Sequence, residues 1–417
     1  MIKVLHINTE QSGGAALCAQ RINKALVKEG IESRMLFAHG DIVSDGIVGA
    51  IAKPDKDFWY SNSFLGKIKH IFMRMPWYMD EEKMMTLLKN KNSDNLYLHI
   101  PLTSYKSIVY HPFVEWADII HLHWVAGFVD YPSFFKKIRK PIVWTLHDMY
   151  PVIGVMHFES DYTIRPSALD EIDALSKRIK RKAVSQAKKL NLVAISEKMS
   201  YIIKTSEIFK GLPITKIHNG VDTNIYIPKD INKSTYFQNI ANDTLIFMFS
   251  SYVVNDKRKG IDRVIAALEK VKSITKRNIA MIAVGMSDAK DAPMASFPIH
   301  YTGLISKEDE LSKVYSVADY YINASYEEAF AQANLEAMAC GTPVISTPCS
   351  GATDLIRPFN GIVCDGFGVS ALQRGIIKAM FSEYDAKKIR KYIINNFDYK
   401  TIVHKYVELY DTVLSTP

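Results

Sequence analysis

Short apolar runs rich in β-branched and aromatic residues alternate along this chain with longer segments whose apolar positions recur every three or four residues. Such alternation builds parallel sheets flanked by helices, so the expected fold class is α/β. In the first half, strands are expected at 2–8 (IKVLHIN), 33–38 (SRMLFA), 118–123 (DIIHLH), 141–146 (PIVWTL), 191–195 (NLVAI) and 214–218 (ITKIH). The segment from about 50 to 112 fits the pattern poorly. After HNGVDTNIYIPKDINKS the alternation restarts, with strands at 244–250, 278–284, 299–303 and 319–323 and helices from Ile261 and at 307–317. Strands at 343–347 and 361–364 follow, then helices to the end. The restart predicts two domains joined near 221–235: an N-terminal domain over 1–225, a second over 226–395, and a last helix over 396–417 that crosses back to the first.

The length of 417 residues also favours two cores over one. No repeat of 20–50 residues and no low-complexity tract is present, which excludes solenoids and propellers. A composition of 48% hydrophobic and 23% charged residues is that of a globular protein. The net charge of +8 and pI near 9.0 favour anionic partners without choosing among nucleotide phosphates, nucleic acid and an acidic membrane surface. Cys18, Cys340, Cys349 and Cys364 are scattered, so reduced thiols are expected rather than a zinc knuckle or a disulfide framework. MIKVLHIN reads as a first strand rather than a signal peptide, and nothing approaches the roughly 18 apolar residues that span a bilayer. The expected location is the cytoplasm, with any membrane contact peripheral.

The stretch EEAFAQANLEAMACGTPVIS (327–346) brings chemistry into this frame. DYYINAS is a buried strand, YEEAF the loop at its carboxyl end, and AQANLEAMAC a helix stopped by Gly341 and Pro343. Ligands of open α/β sheets sit outside the carboxyl ends of strands, where helix N-termini suit phosphate. Eight helical residues would separate Glu328 from Glu336 by about 12 Å, too far to share a proton. Spacing alone leaves two readings: acceptors for two parts of one long ligand, such as the sugar and ribose of a nucleotide sugar, or acids that offset a helix dipole.

In NASYEEAFAQANLEAMACGTPVISTPCSGATDLI the chain resembles the family 4 retaining glycosyltransferases of the GT-B fold, whose signature is a Glu, seven residues and a Glu. SGGAA, DIIHLHW, KPIVWTLHDMYP, AIS, IHNGVD, KRKG, VG, YTG and ADYYINAS agree in order over more than 300 residues. The resemblance implies a GT-B protein: two Rossmann-like domains with a cleft between them, the first binding acceptor and the second a UDP- or GDP-sugar. It implies that Glu328 accepts hydrogen bonds from the sugar, that backbone N–H groups of Phe330, Ala331 and Gln332 hold the sugar and diphosphate, and that Glu336 takes the ribose. Lys259, assisted by Arg258, would neutralise the diphosphate. The family usually places an Arg six residues before this Lys, where this chain has Val253. His147 would lie beside the donor sugar and acceptor, and Gly13 and Gly14 near the sugar and diphosphate. The implied reaction is retaining hexosyl transfer to a saccharide or lipid-linked saccharide, as in bacterial surface polysaccharide synthesis.

Other chemistry is less well supported. SGGAA is not the dinucleotide fingerprint, and the second strand ends in FAHG without the acid that would take an NAD ribose. The lone DKD at 55–57 sits in a polar stretch, so no metal or other cofactor is expected. His121 and His123 share a strand face without a third ligand in view and read as cleft lining or core. Phe64, Leu65, Ile68, Ile71, Phe72, Met75 and Trp77 interleave with Lys67, Lys69, His70 and Arg74 over 61–79. That pattern fits either a helix lying on an anionic membrane or a core helix with a solvated basic side, and 176–191 is equally ambiguous. The rival functions are a non-catalytic GT-B scaffold that binds nucleotide or glycan, which Val253 favours, and a nucleotide-sugar epimerase. No nucleic-acid partner is expected.

Overall fold

The computed structural model describes residues 1–40, 47–55, 84–86, 88, 96–238, 240–287 and 292–415. The amphipathic stretch 61–79 lies outside them. Two compact units emerge: Met1–Ile195, Met199–Ile217 and Val403–Pro417 form one, and Ser196–Lys198 with His218–Ile402 form the other.

The first unit is built on β1 (Lys3–Asn8), β2 (Glu32–Phe37), β3 (Val48–Ile51), β4 (Ile119–Leu122), β5 (Ile142–Leu146), β6 (Leu190–Ala194) and β7 (Ile214–Lys216), ordered β3-β2-β1-β4-β5-β6-β7 with every pairing parallel. The central strands β4 and β5 are buried at every position, as parallel strands covered on both faces must be. The sequence reading misses β3, a four-residue edge strand (VGAI) whose Val48 is 55% exposed; it is apolar but short, and half of it is the poor strand formers Gly49 and Ala50.

The second unit repeats the plan with β8 (Leu245–Val253), β9 (Ile279–Met286), β10 (Ile299–Gly303), β11 (Tyr320–Asn323), β12 (Val344–Ser346) and β13 (Gly361–Val363), again parallel, in the order β10-β9-β8-β11-β12-β13. Phe247, Phe249, Met281, Ile322 and Ile345 from the sheet close a core with Val264, Leu268, Leu372 and Ile376 from its helices. In each sheet the strand order reverses between the first strand and its neighbour on the other side, β1/β4 and β8/β11. Doubly wound folds bind ligands at such points.

The basic segment 176–191 is helical within Asp170–Val184, and one of its cations is not solvated. Lys180 is fully buried, donates to the carbonyls of Ile153 (2.9 Å), Gly154 (2.6 Å) and Tyr150, and sits 3.4 Å from the Tyr150 ring centroid. That ammonium pins a loop rather than a membrane. Among the described residues no helix is long and apolar enough to cross a bilayer.

Candidate functional site

In the second unit, the loops after β8 and β11 are bound to each other. Tyr326 N donates to Arg258 O (2.9 Å), and the Arg263 guanidinium donates to Ala324 O (2.6 Å) and Phe367 O (2.6 Å) while lying 3.5 Å from the Tyr326 ring centroid. This scaffold sets Lys259 against Glu328: Lys259 Nζ pairs with Glu328 Oε1, which also accepts from Ser325 Oγ (2.7 Å). Ser325 is held in turn, its N donating to Asn323 Oδ1 (3.1 Å) and its carbonyl accepting from Thr347 Oγ1 (2.5 Å). A cation and a carboxylate are thus fixed side by side at the switch point. Arg258 is turned onto its own loop, with NH2 2.8 Å and Nε 3.3 Å from the two oxygens of Asp256.

The helix Gln332–Ala339 opens on Ala331, which takes the left-handed conformation (φ 55°, ψ 62°) that a non-glycine residue adopts at a cost of about 1 kcal/mol. The turn aims the first N–H groups of the helix, which have no carbonyl partner within it, out of its N-terminus. Phe330 just before it stacks on His218 (5.5 Å, 29°), whose Nε2 lies 3.2 Å from Asp354 Oδ2. A Cβ on Gly351 (φ +80°) would come within 2.5 Å of Phe330 O, so the loop reaches this position only over a glycine. Glu336 is in a different environment. It is 7% exposed and accepts from Tyr315 Oη (3.1 Å), while Glu328 faces Lys259 and Ser325.

The first unit carries a second cluster at its own switch point. Gly13 (φ +92°) and Gly14 follow β1 and start the helix Gly14–Lys28, with nothing within 4 Å of the place either Cβ would occupy. His147 follows β5 directly, and its Nε2 lies 3.0 Å from His123 Nδ1. Burial pushes its pKa down to about 4 despite the neighbouring Asp148, so it is neutral at physiological pH. Burial opposes the charge on Asp148, but His157 Nδ1 (2.6 Å), Trp124 Nε1 (2.6 Å) and Tyr150 N (3.1 Å) donate to it and hold its pKa below the usual carboxylate range. His99 Nδ1 extends the row to His157 Nε2 (2.8 Å).

The histidines of β4 do have a third partner. His6 on β1 is in register with His121, and His6, His121 and His123 bring ring nitrogens within 4.8 Å of one another, all buried. The sequence signal was present, since His6 interrupts an apolar strand as His121 does, but only the register joins them. The cluster is nevertheless committed to hydrogen bonds: His121 to Tyr410 Oη (2.7 Å) and Thr145 Oγ1 (2.8 Å), and His123 to His6 and His147. Only His6 Nε2 is without a partner in the trio. Asp55, from the DKD stretch, accepts from Ser107 N (3.1 Å) and serves its loop. Arg263 and Tyr315 were not singled out by sequence, because each acts through a partner distant in the chain, and Ser325, three residues before Glu328, reads only as the end of its strand.

Residues 233–396 match the family model for glycosyl transferases group 1, and residues 97–225 that for Glycosyltransferase Family 4. The chain is 26% identical over 221 residues to an uncharacterized glycosyltransferase of Methanocaldococcus jannaschii, a match covering 50% of this chain and 53% of that protein. It is 24% identical over 238 residues to the capsular polysaccharide biosynthesis glycosyltransferase CapM of Staphylococcus aureus, covering 54% of this chain and 62% of CapM. The fold is similar to that of Anabaena HepE, solved in complex with UDP and glucose, with a TM-score of 0.63, 17% identity and coverage of 99% of this chain and 100% of that one. With both sheets in the doubly wound order and both halves matched by glycosyltransferase families, the chain belongs to the family 4 glycosyltransferases of the GT-B fold.

Proposed function

We propose that the protein transfers a hexose from a nucleoside diphosphate donor, UDP- or GDP-linked, to a hydroxyl of a saccharide or lipid-linked saccharide, with retention and without a metal. The observation that carries this reading is the Lys259–Glu328 pair beside the N-terminus of Gln332–Ala339. A fixed cation and helix N–H groups suit a diphosphate, and a carboxylate in contact with that cation suits sugar hydroxyls. The buried Glu336 suits the ribose. That HepE was solved with UDP and glucose supports the donor class, and CapM supports a polysaccharide product.

In this reading the bond from the anomeric carbon to the β-phosphate oxygen breaks, and the acceptor oxygen bonds to that carbon on the same face. The acceptor's proton passes to the departing phosphate. Lys259 stabilises the charge that develops there, and no protein nucleophile is required. A thermal-shift panel of UDP, GDP, ADP and their sugars tests the assignment on native protein and Glu328→Ala. The true donor raises the melting temperature of the native protein. In Glu328→Ala the nucleotide alone is expected to stabilise as well or better, because Lys259 is released, while the extra stabilisation from the sugar disappears. A panel in which no nucleotide shifts the native protein would count against the donor assignment, and a donor that binds without being hydrolysed or transferred would favour a scaffold.

A further inference from the structure

At the carboxyl ends of β1, β4 and β5 three imidazoles stand in a row. His6 Nδ1 lies 2.8 Å from His123 Nε2, and His123 Nδ1 lies 3.0 Å from His147 Nε2. The rings stack along it, 5.1 Å apart at 21° and 5.3 Å apart at 25°. Desolvation keeps all three neutral, with His6 lowered to about 3, His147 to about 4 and His123 well below its ordinary value. A neutral imidazole has one donor and one acceptor, so such a row admits only two proton arrangements, running in opposite directions.

The two arrangements differ at the far end. In one, His6 carries its proton on Nδ1 and leaves a bare lone pair on Nε2; in the other, Nε2 bears the N–H. His6 is fully buried, and its Nε2 has no hydrogen-bond partner among the described residues. A buried N–H without an acceptor is costly at this end, whereas His147 at the other end is only partly buried, so an N–H on its Nδ1 can be met by water or ligand. The protons therefore sit on Nδ1 of His6 and Nδ1 of His123, each donated to the next ring. His121, 4.1 Å from His123 by ring centroid, stays out of the row because Tyr410 and Thr145 occupy its nitrogens.

We propose that His6 and His123 are positioning residues that fix the proton of His147 on Nδ1, so that His147 meets its ligand as a hydrogen-bond donor and not as a base. Nδ1 of His147 has no partner among the described residues and is left for that ligand. A donor beside the sugar suits a transfer in which the departing phosphate takes the acceptor's proton. The identity of the ligand rests on the transferase reading above, whereas the tautomer does not and is read without substrate.

Long-range 1H–15N correlation spectra of protein labelled with 15N-histidine decide it, with His147 assigned from its absence in His147→Asn. In the native protein His147 shows a protonated Nδ1 and an unprotonated Nε2, the reverse of the tautomer that free neutral imidazole prefers. In His123→Leu it reverts toward Nε2–H, and transfer falls about tenfold, the low end for loss of a group that orients an active-site imidazole. His123→Asn, whose amide N–H takes the place of Nδ1–H, restores both. A native His147 protonated on Nε2 overturns the proposal, as does an Nδ1–H signal unchanged in folded His123→Leu. Should the Leu variant not fold, the native spectrum alone decides. An Nδ1–H tautomer in a protein that transfers no sugar would uphold the row and sink the transferase reading instead.

Discussion

Lys259 is held against Glu328 in the loop after β8. If the ammonium supplies the charge, transfer persists in excess EDTA at no less than about half its rate, and manganese adds nothing. Loss of turnover in EDTA with rescue by manganese would refute this. The buried histidines set a second residue-scale expectation. Desolvation lowers His6 to about 3 from an unfolded value near 6.5, so between these limits the unfolded chain binds the proton and the native one does not. Stability is then complete above pH 6.5 and drains as pH falls. His6 alone accounts for about 2 kcal/mol between pH 6.5 and 5, and His99 and His147, both lowered to about 4, act in the same direction. Urea midpoints at pH 7 and pH 5 measure it, and equal midpoints would show that these rings are not buried neutral.

At the scale of elements, two glycines separate fold from function. Gly351 lets the Phe330 loop approach to a distance a Cβ forbids, and it sits at φ +80°, so Gly351→Ala is expected to destabilise by about 1–3 kcal/mol. Gly14 meets nothing, so Gly14→Ala leaves the urea midpoint unchanged or slightly higher. If SGGAA is bare to admit a ligand, that same variant loses most of its transfer rate. Full activity in Gly14→Ala would leave the glycine without a ligand to explain it. These elements were largely legible in the sequence. Central parallel strands must be apolar on both faces, and ligand-bearing loops must follow them, so β1, β4, β5, β8 and β11 and the loops carrying His147, Lys259 and Glu328 could be read from pattern alone. Position within those loops could not. That Arg258 folds onto Asp256, that Tyr315 holds Glu336 and that His6 completes a row with His123 depend on register and loop conformation, which no local pattern encodes.

On the scale of the whole molecule, chain order and structural order disagree. The division falls at His218, and the last helix, Tyr399–Ser415, belongs to the second unit up to Ile402 and to the first from Val403 onward. In that returning part Tyr406 and Tyr410 are buried, bonded to Thr145 and His121. During synthesis, therefore, the first sheet leaves the ribosome with a gap in its core that residues 403–415, made after the whole second unit, must fill. The second unit has no such debt, because its strands and helices are contiguous apart from a three-residue graft. A chain ending at Asp398 should accordingly accumulate with its second unit protected from protease and its first unit digested. Supplying residues 399–415 as a free peptide should restore protection. Equal resistance of both units in the shortened chain would mean that the first core closes without its last helix.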